Sequence, residues 1–293
     1  MFLKCSKCWL IFSLVSILLV VSISCNLPVQ PAPPVEAFPA DPPTSEAPQM
    51  GLDESESIEE QPAEEEMPPV EEPDICFEDV CFSYDDSIAC NINGEVVPAS
   101  DGEMWDNYPE YLSFTFDCYP LENTFHEPEI RIYPVAEYQV RVDFMESIVT
   151  DLNAVLDSRP PEPENVPFLP LWNAGSLFRN KFVYVDFKNG SGIRFLTQFG
   201  QAAWPINNQD MFYTFQGLTE GNAYYVTAVL PVANPILPED GESAIPGGDQ
   251  IAFSENFETY IDDIKNQIDG QSPENFTPNL LLLDEMIRSL RVH

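Results

Sequence analysis

Lys181-Phe182-Val183-Tyr184-Val185-Asp186-Phe187-Lys188-Asn189-Gly190-Ser191-Gly192-Ile193-Arg194-Phe195-Leu196-Thr197-Gln198-Phe199 is the stretch on which the fold turns. Lys181–Phe187 is dense in β-branched and aromatic side chains, which fit a pleated, half-buried surface. Lys188 to Gly192 is turn chemistry, and Ile193–Phe199 reads as the returning strand of a hairpin. A second hairpin follows, Met211–Gly217 and Ala223–Leu230, turning around Thr219-Glu220-Gly221-Asn222.

Working outward, four candidate strands precede this meander: Val80–Tyr84, Ile92–Val97, Tyr111–Phe116 and Glu129–Tyr133, the last ended by Pro134. In the third, Leu112, Phe114 and Phe116 alternate onto one face. Phe144, Ile148, Leu152, Val155 and Leu156 recur at helical spacing and predict an amphipathic helix from about Val142 to Ser158. Arg159-Pro160-Pro161 stops it. Five prolines in residues 160–170 make an ordered loop, and Leu171–Arg179 reads as a short helix. Pro231–Gly248 is an acidic loop rich in Pro and Gly. Phe253–Ile268 and Pro278–Leu290 close the chain as helices, with Leu280, Leu283, Ile287 and Leu290 on one face. Arg288 and Arg291 suit the negative end of the last helix. Strands, helix, strands, helices, with tight hairpins and no βαβ repeat, give an α+β class: an antiparallel sheet with helices packed on it.

Seven cysteines divide by position. Cys5 and Cys8 fall in a leader, Met1 to Ser24, that carries Lys4 and Lys7 ahead of an apolar run from Trp9 to Ile23. That is the layout of an export signal. The ending Ser22-Ile23-Ser24-Cys25 resembles a bacterial lipobox, in which Cys25 would receive a diacylglycerol thioether and become the mature N-terminus. An uncleaved anchor and an ordinary secretory signal cut near Ser24 are the alternatives; each places the rest of the chain outside the cytoplasm. The apolar run falls short of the roughly 20 residues a spanning helix needs.

Cys76, Cys81, Cys90 and Cys118 remain, an even number in an exported chain, which reads as disulfides. A zinc site is the rival, but the spacings match no zinc ribbon. Cys76 to Phe82 reads as a hairpin with Glu78-Asp79 at its tip and Phe77 facing Val80, which sets Cys76 opposite Cys81. Cys90–Cys118 would then join the start of one strand to the end of its antiparallel neighbour.

Residues 26–75 hold twelve prolines and fourteen acidic residues with no Lys or Arg. Such a segment cannot bury enough apolar surface to offset the entropy of ordering, so it is expected to be a disordered tether. The expected organisation is therefore a signal over residues 1–24, a tether over 25–75 and one folded domain over 76–293. The whole chain carries 49 acidic against 12 basic residues, a formal net charge of −37. Phosphate backbones are repelled by such a field, which excludes nucleic acid as a partner.

Val183–Phe199, Pro205-Ile206-Asn207-Asn208, Phe212–Thr219 and Tyr224–Pro231 together resemble a group of uncharacterised bacterial envelope lipoproteins. Leu283-Asp284-Glu285-Met286-Ile287-Arg288-Ser289-Leu290-Arg291-Val292 is similar to the final helix of PsbP-like domains. The resemblance implies an α/β/α sandwich on an antiparallel sheet, exported, often lipid-anchored, serving as a binding or assembly factor. It brings no catalytic motif and no cofactor, and a fold does not by itself transfer a function.

Catalytic constellations are sparse. Only His126 and His293 are histidines, and no Gly-x-Ser-x-Gly elbow, Walker A or His-Glu-x-x-His occurs. Glu239, Asp240, Glu242 and Asp249 have calcium-type oxygens but not the EF-hand spacing. Trp105, Trp172 and Trp204 are possible stacking platforms. The best binding-loop candidate is Gln198–Asp210, where Trp204, Asn207, Asn208 and Gln209 join two strands. The expected function is a lipid-anchored envelope protein acting as a non-catalytic binding or assembly module, its partner an envelope protein or a small ligand. A carboxylate-dependent extracytoplasmic hydrolase is the alternative.

Overall fold

The computed structural model describes residues 72–293. The expected signal, the expected lipidation site Cys25 and residues 25–71 of the expected tether lie outside the described residues. In chain order the domain contains β1 (Ile75–Phe77), β2 (Val80–Phe82), β3 (Asn91–Val97), the short pair β4 (Ser100–Asp101) and β5 (Asn107–Tyr108), β6 (Tyr111–Asp117) and β7 (Glu129–Pro134). Then come α1 (Val135–Arg141), α2 (Met145–Ser158), β8 (Gly175–Phe187), β9 (Gly190–Gly200), β10 (Phe212–Thr219) and β11 (Tyr224–Pro231). The chain closes with α3 (Gln250–Glu255), α4 (Phe257–Asp269), α5 (Leu280–Ser289) and β12 (Arg291–Val292). Folded structure begins one residue ahead of the expected boundary, since Ile75 already pairs with Phe82.

Seven strands form one sheet in the order β3-β6-β7-β11-β10-β9-β8, every neighbouring pair antiparallel. A small sheet, β1-β2-β12, lies beside it. Side chains alternate across the large sheet and feed two separate cores. On one face Phe114, Ile130, Tyr213, Phe215 and Val226 pack with Leu283 and Ile287 of α5, Ile264 and Ile268 of α4, and Val80 and Phe82 of the small sheet. On the other, Tyr133, Ile193, Phe195 and Tyr225 pack with Val135 and Tyr138 of α1, Leu152 and Leu156 of α2, and Val166 and Leu169 of the proline-rich loop. Helices thus cover both faces of an antiparallel sheet, an α+β arrangement.

Local signals were overruled in three places. Leu171–Arg179 is not a helix: from Gly175 it is the first half of β8, because pairing with β9 runs from Gly175↔Gly200 to Phe187↔Gly190, with two bulges between. A long edge strand bonded to a neighbour outweighs the weak helical pattern of nine residues. The helix expected from Val142 begins at Met145 as α2, because Val142 adopts an extended backbone (φ −134°), and a separate helix that the sequence did not suggest, α1, precedes it. Leu152 and Leu156 of the expected stripe are buried in α2, with Ile148 and Val155 half-buried beside them, but Met145 and Val149 join the buried face and Phe144 stays 37% exposed. The helix expected over Phe253–Ile268 breaks at Asn256, whose side chain donates to the Ala252 carbonyl at 2.8 Å and so ends α3. Arg288 sits in the last turn of α5 as expected, whereas Arg291 lies beyond it in β12.

Elsewhere register follows the sequence. The β10–β11 turn is closed by Gly221 (φ +75°) and Asn222 (φ +58°), residue types that tolerate the left-handed region. Gly192 lets the Phe215 ring lie against the sheet; a Cβ there would stand 2.2 Å from the ring. Cys76 faces Cys81 and is bonded to it, one step from the Phe77↔Val80 pair at the turn. Cys90 and Cys118 are bonded just beyond the Asn91↔Asp117 pair, clamping the start of β3 to the end of β6.

Two polar clusters cross the apolar layers. Arg194 of β9 donates to Asp284 of α5 through Nε and Nη2 at 3.0 and 3.1 Å, and the Tyr213 hydroxyl donates to the same carboxylate at 3.1 Å. On the other face Gln216 of β10 accepts from the Leu169 N–H at 2.9 Å and donates to the Leu169 carbonyl at 3.0 Å, fixing the proline-rich loop to the sheet.

Candidate functional site

Antiparallel connectivity sends four long connections, residues 118–128, 159–174, 201–211 and 232–249, to one end of the large sheet. Trp204, Asn207, Asn208 and Gln209 lie there, brought together as the sequence suggested. Their amides are largely occupied in building the loop. Asn207 is fully buried. Its Oδ1 accepts from the N–H groups of Gln209 and Asp210 at 3.0 Å, and its Nδ2 donates to the Pro205 carbonyl and to Asp210 Oδ2 at 2.9 and 2.8 Å. This is an Asx-type turn, the local bonding Asn favours. Asn208 Oδ1 accepts from the Asn234 N–H at 2.8 Å, and its Nδ2 donates to the Leu237 carbonyl at 3.2 Å. Gln209 has an exposed side chain, while half-buried Trp204 packs over Gly241.

His126 takes part in an aromatic cluster at the same end. Its ring stacks on Trp172 with centroids 4.4 Å apart and meets Phe212 edge-on at 4.8 Å. Burial, with the Arg131 guanidinium adding to it, drives the His126 pKa down to about 4. The unfolded chain, titrating near 6.5, therefore takes up a proton between pH 6.5 and 4 that the folded chain refuses. Stability from this group is complete above pH 6.5 and is lost as pH falls toward 4. Allowing for partial exposure, about 2 kcal/mol is expected to disappear across that window. Urea unfolding at pH 7 and pH 4.5 measures it; a His126→Phe variant with the same pH dependence as the native chain would contradict it.

Among the described residues no cluster of three His, Cys, Asp or Glu side chains is placed to hold a metal ion. Asp240 Oδ1 instead accepts from the Ser243 N–H at 2.8 Å, and Asp249 Oδ1 caps α3 through the Ala252 N–H at 3.1 Å.

The opposite end of the sheet carries a better-formed cleft, of about 360 Å³. It lies between the β1–β2 turn and the strand ends. Val80 and Val292 of the small sheet and Val96, Leu112, Ile132, Pro134 and Tyr224 of the large sheet give it an apolar floor. Glu78 and Asp79 from the turn, Glu110 ahead of β6, and Glu137 in the first turn of α1 ring it with carboxylates. All four are exposed, and none makes an ion pair among the described residues. Glu137 also borders an adjoining depression of about 540 Å³ formed with Asp101, Asn107, Val140 and Arg141. There Asn107 donates to the Arg141 carbonyl at 3.2 Å, Arg141 pairs with Asp101, and the Asn107 Oδ1 is buried without a partner. Apolar floor and charged rim together equip this end to hold an amphipathic ligand, since desolvation of the floor supplies affinity and the rim selects charge.

Comparison of the chain with protein families, with curated proteins and with solved structures finds no match. The cleft itself was not legible in the sequence, because its walls come from six strands, a turn and a helix that only the fold assembles.

Proposed function

We propose that this chain is a lipid-anchored protein of a bacterial envelope, held outside the cytoplasm through Cys25, whose α+β domain is a non-catalytic binding or assembly module. The observation that carries the binding role is the apolar-floored, carboxylate-rimmed cleft at the strand ends. Two bonded cysteine pairs agree with an oxidising compartment. Helices on both faces of an antiparallel sheet agree with kinship to PsbP-like α/β/α domains, which serve as exported binding or assembly factors. A body of strongly negative charge is kept from collapsing onto an anionic bilayer by repulsion, which suits a domain presented on a tether.

Membrane fractionation of the native chain and of Cys25→Ala tests the anchor: the variant is expected in the soluble fraction. A variant that stays membrane-bound and uncut overturns it. Affinity capture of the lipidated, tagged form from solubilised membranes, with native mass spectrometry, tests the module. A stoichiometric protein or a bound small molecule supports it; recovery of neither overturns it.

A further inference from the structure

We propose that the carboxylate-rimmed cleft receives an extended cationic segment of a partner protein, one in which Lys or Arg side chains alternate with apolar ones. This rests on the binding-module reading and narrows it to one partner chemistry.

Charge complementarity carries the first half. Glu78, Asp79, Glu110 and Glu137 stand around one opening, and no Lys, Arg or His is among the residues that line it. Arg291 precedes the lining residue Val292 on β12, but strand alternation directs the two to opposite faces. Like charges gathered on a low-dielectric wall repel one another and focus a negative field outward, which draws a cation and rejects phosphate or carboxylate partners. Four unpaired carboxylates match two or more basic side chains.

The apolar surface carries the second half. Within the cleft Val96, Leu112, Pro134 and Tyr224 keep solvent-facing area. The track continues past Glu137 to Val140, which is 87% exposed, and the β4–β5 connection beside it presents Met104 and Trp105, 62% and 43% exposed. Exposed apolar groups thus accompany the acidic groups both in the cleft and in the depression that adjoins it. A polyamine or metal ion would use the rim and leave the floor wet, and a neutral apolar molecule would leave the rim unpaired. An extended peptide, whose side chains alternate in direction every residue, satisfies both.

Fluorescence anisotropy of the full chain in detergent, with labelled ten-residue peptides, tests this. A Lys-Leu repeat is expected to bind at least tenfold more tightly than a Lys-Ser or a Glu-Leu repeat. The double substitution Glu110→Lys with Glu137→Lys should weaken it at least tenfold, and Val96→Asp several-fold. Reversal of Glu258 and Asp262 on α4, exposed acids away from the cleft, should change it less than twofold. Equal binding of Lys-Leu and Lys-Ser peptides, or equal effects of the cleft and α4 reversals, would mean bulk attraction by a chain of −37 and would overturn the proposal. Failure of every peptide, with a small molecule still recovered on capture from membranes, overturns this partner chemistry while leaving the binding-module reading in place.

Discussion

Replacing Asp284 with alanine is expected to destabilise the domain by about 3–5 kcal/mol. Asp284 and Arg194 are 2% and 3% exposed, so neither retains a usable share of its hydration. The pair is tolerable because its geometry is two-pronged, at 3.0 and 3.1 Å, and because remaining polar groups are matched. Arg194 also donates to the Lys181 carbonyl, and its guanidinium lies 5.8 Å from the centre of the Tyr213 ring. Burial, and then the neighbouring Asp284 carboxylate, push the Tyr213 phenol far above its ordinary pKa, so the hydroxyl stays protonated and donates to Asp284. Alanine would strand a buried guanidinium and a buried hydroxyl together. Asp284→Asn, which keeps the shape but loses the charge, should cost less. The double replacement Arg194→Met with Asp284→Leu should recover much of the loss, since a buried pair is seldom better than well-packed apolar side chains. Urea unfolding followed by circular dichroism reads all three. An Asp284→Ala cost under 1 kcal/mol would show that water reaches the pair and that α5 is not held by it.

Gln216→Leu is likewise expected to cost about 3–5 kcal/mol. The amide carbonyl accepts from the Leu169 N–H at 2.9 Å and from the Tyr225 hydroxyl at 2.7 Å. Its NH₂ donates to the Leu169 carbonyl at 3.0 Å and lies 2.9 Å from the Thr214 and Thr227 hydroxyls. Leucine fills the space but leaves the Leu169 N–H and the Tyr225 hydroxyl buried without partners, each worth about 1–3 kcal/mol. The Leu169 carbonyl keeps one donor, Thr227, at 2.6 Å. Because these bonds hold the proline-rich loop, the loss should be local as well as global: chymotrypsin should cleave at Phe168 or Leu171 well before the native chain is cut. An unchanged cleavage pattern together with less than 1 kcal/mol lost in urea would place the loop's anchorage in its apolar contacts, Val166 and Leu169, instead of in the amide.

These two residues mark the limit of what pattern reading reaches. Arg194 and Asp284 are 90 positions apart, and Gln216 and Leu169 are 47. Each reads in sequence as an ordinary polar residue on a strand, helix or loop. The candidate loop shows the same limit from the other side. Asn207 and Asn208 were legible as a strand-to-strand turn, but whether the Asn208 amide faced solvent or backbone depended on Leu237 and Asn234 arriving from a later connection.

The chain's own order of residues was sufficient for the two central hairpins, the facing of Cys76 and Cys81, the clamp between Cys90 and Cys118, and the buried stripe of the last helix. The hairpins, the Cys76–Cys81 facing and the helix stripe are set within a few residues or by strict alternation, so local chemistry decides them, and the second cysteine pair follows once the first is placed. Tertiary structure alone decided that Gly175–Arg179 is strand and that six strands, a turn and a helix close around an acid-rimmed cleft. Pairing partners and neighbouring walls supply those free energies, and they lie tens to hundreds of residues away.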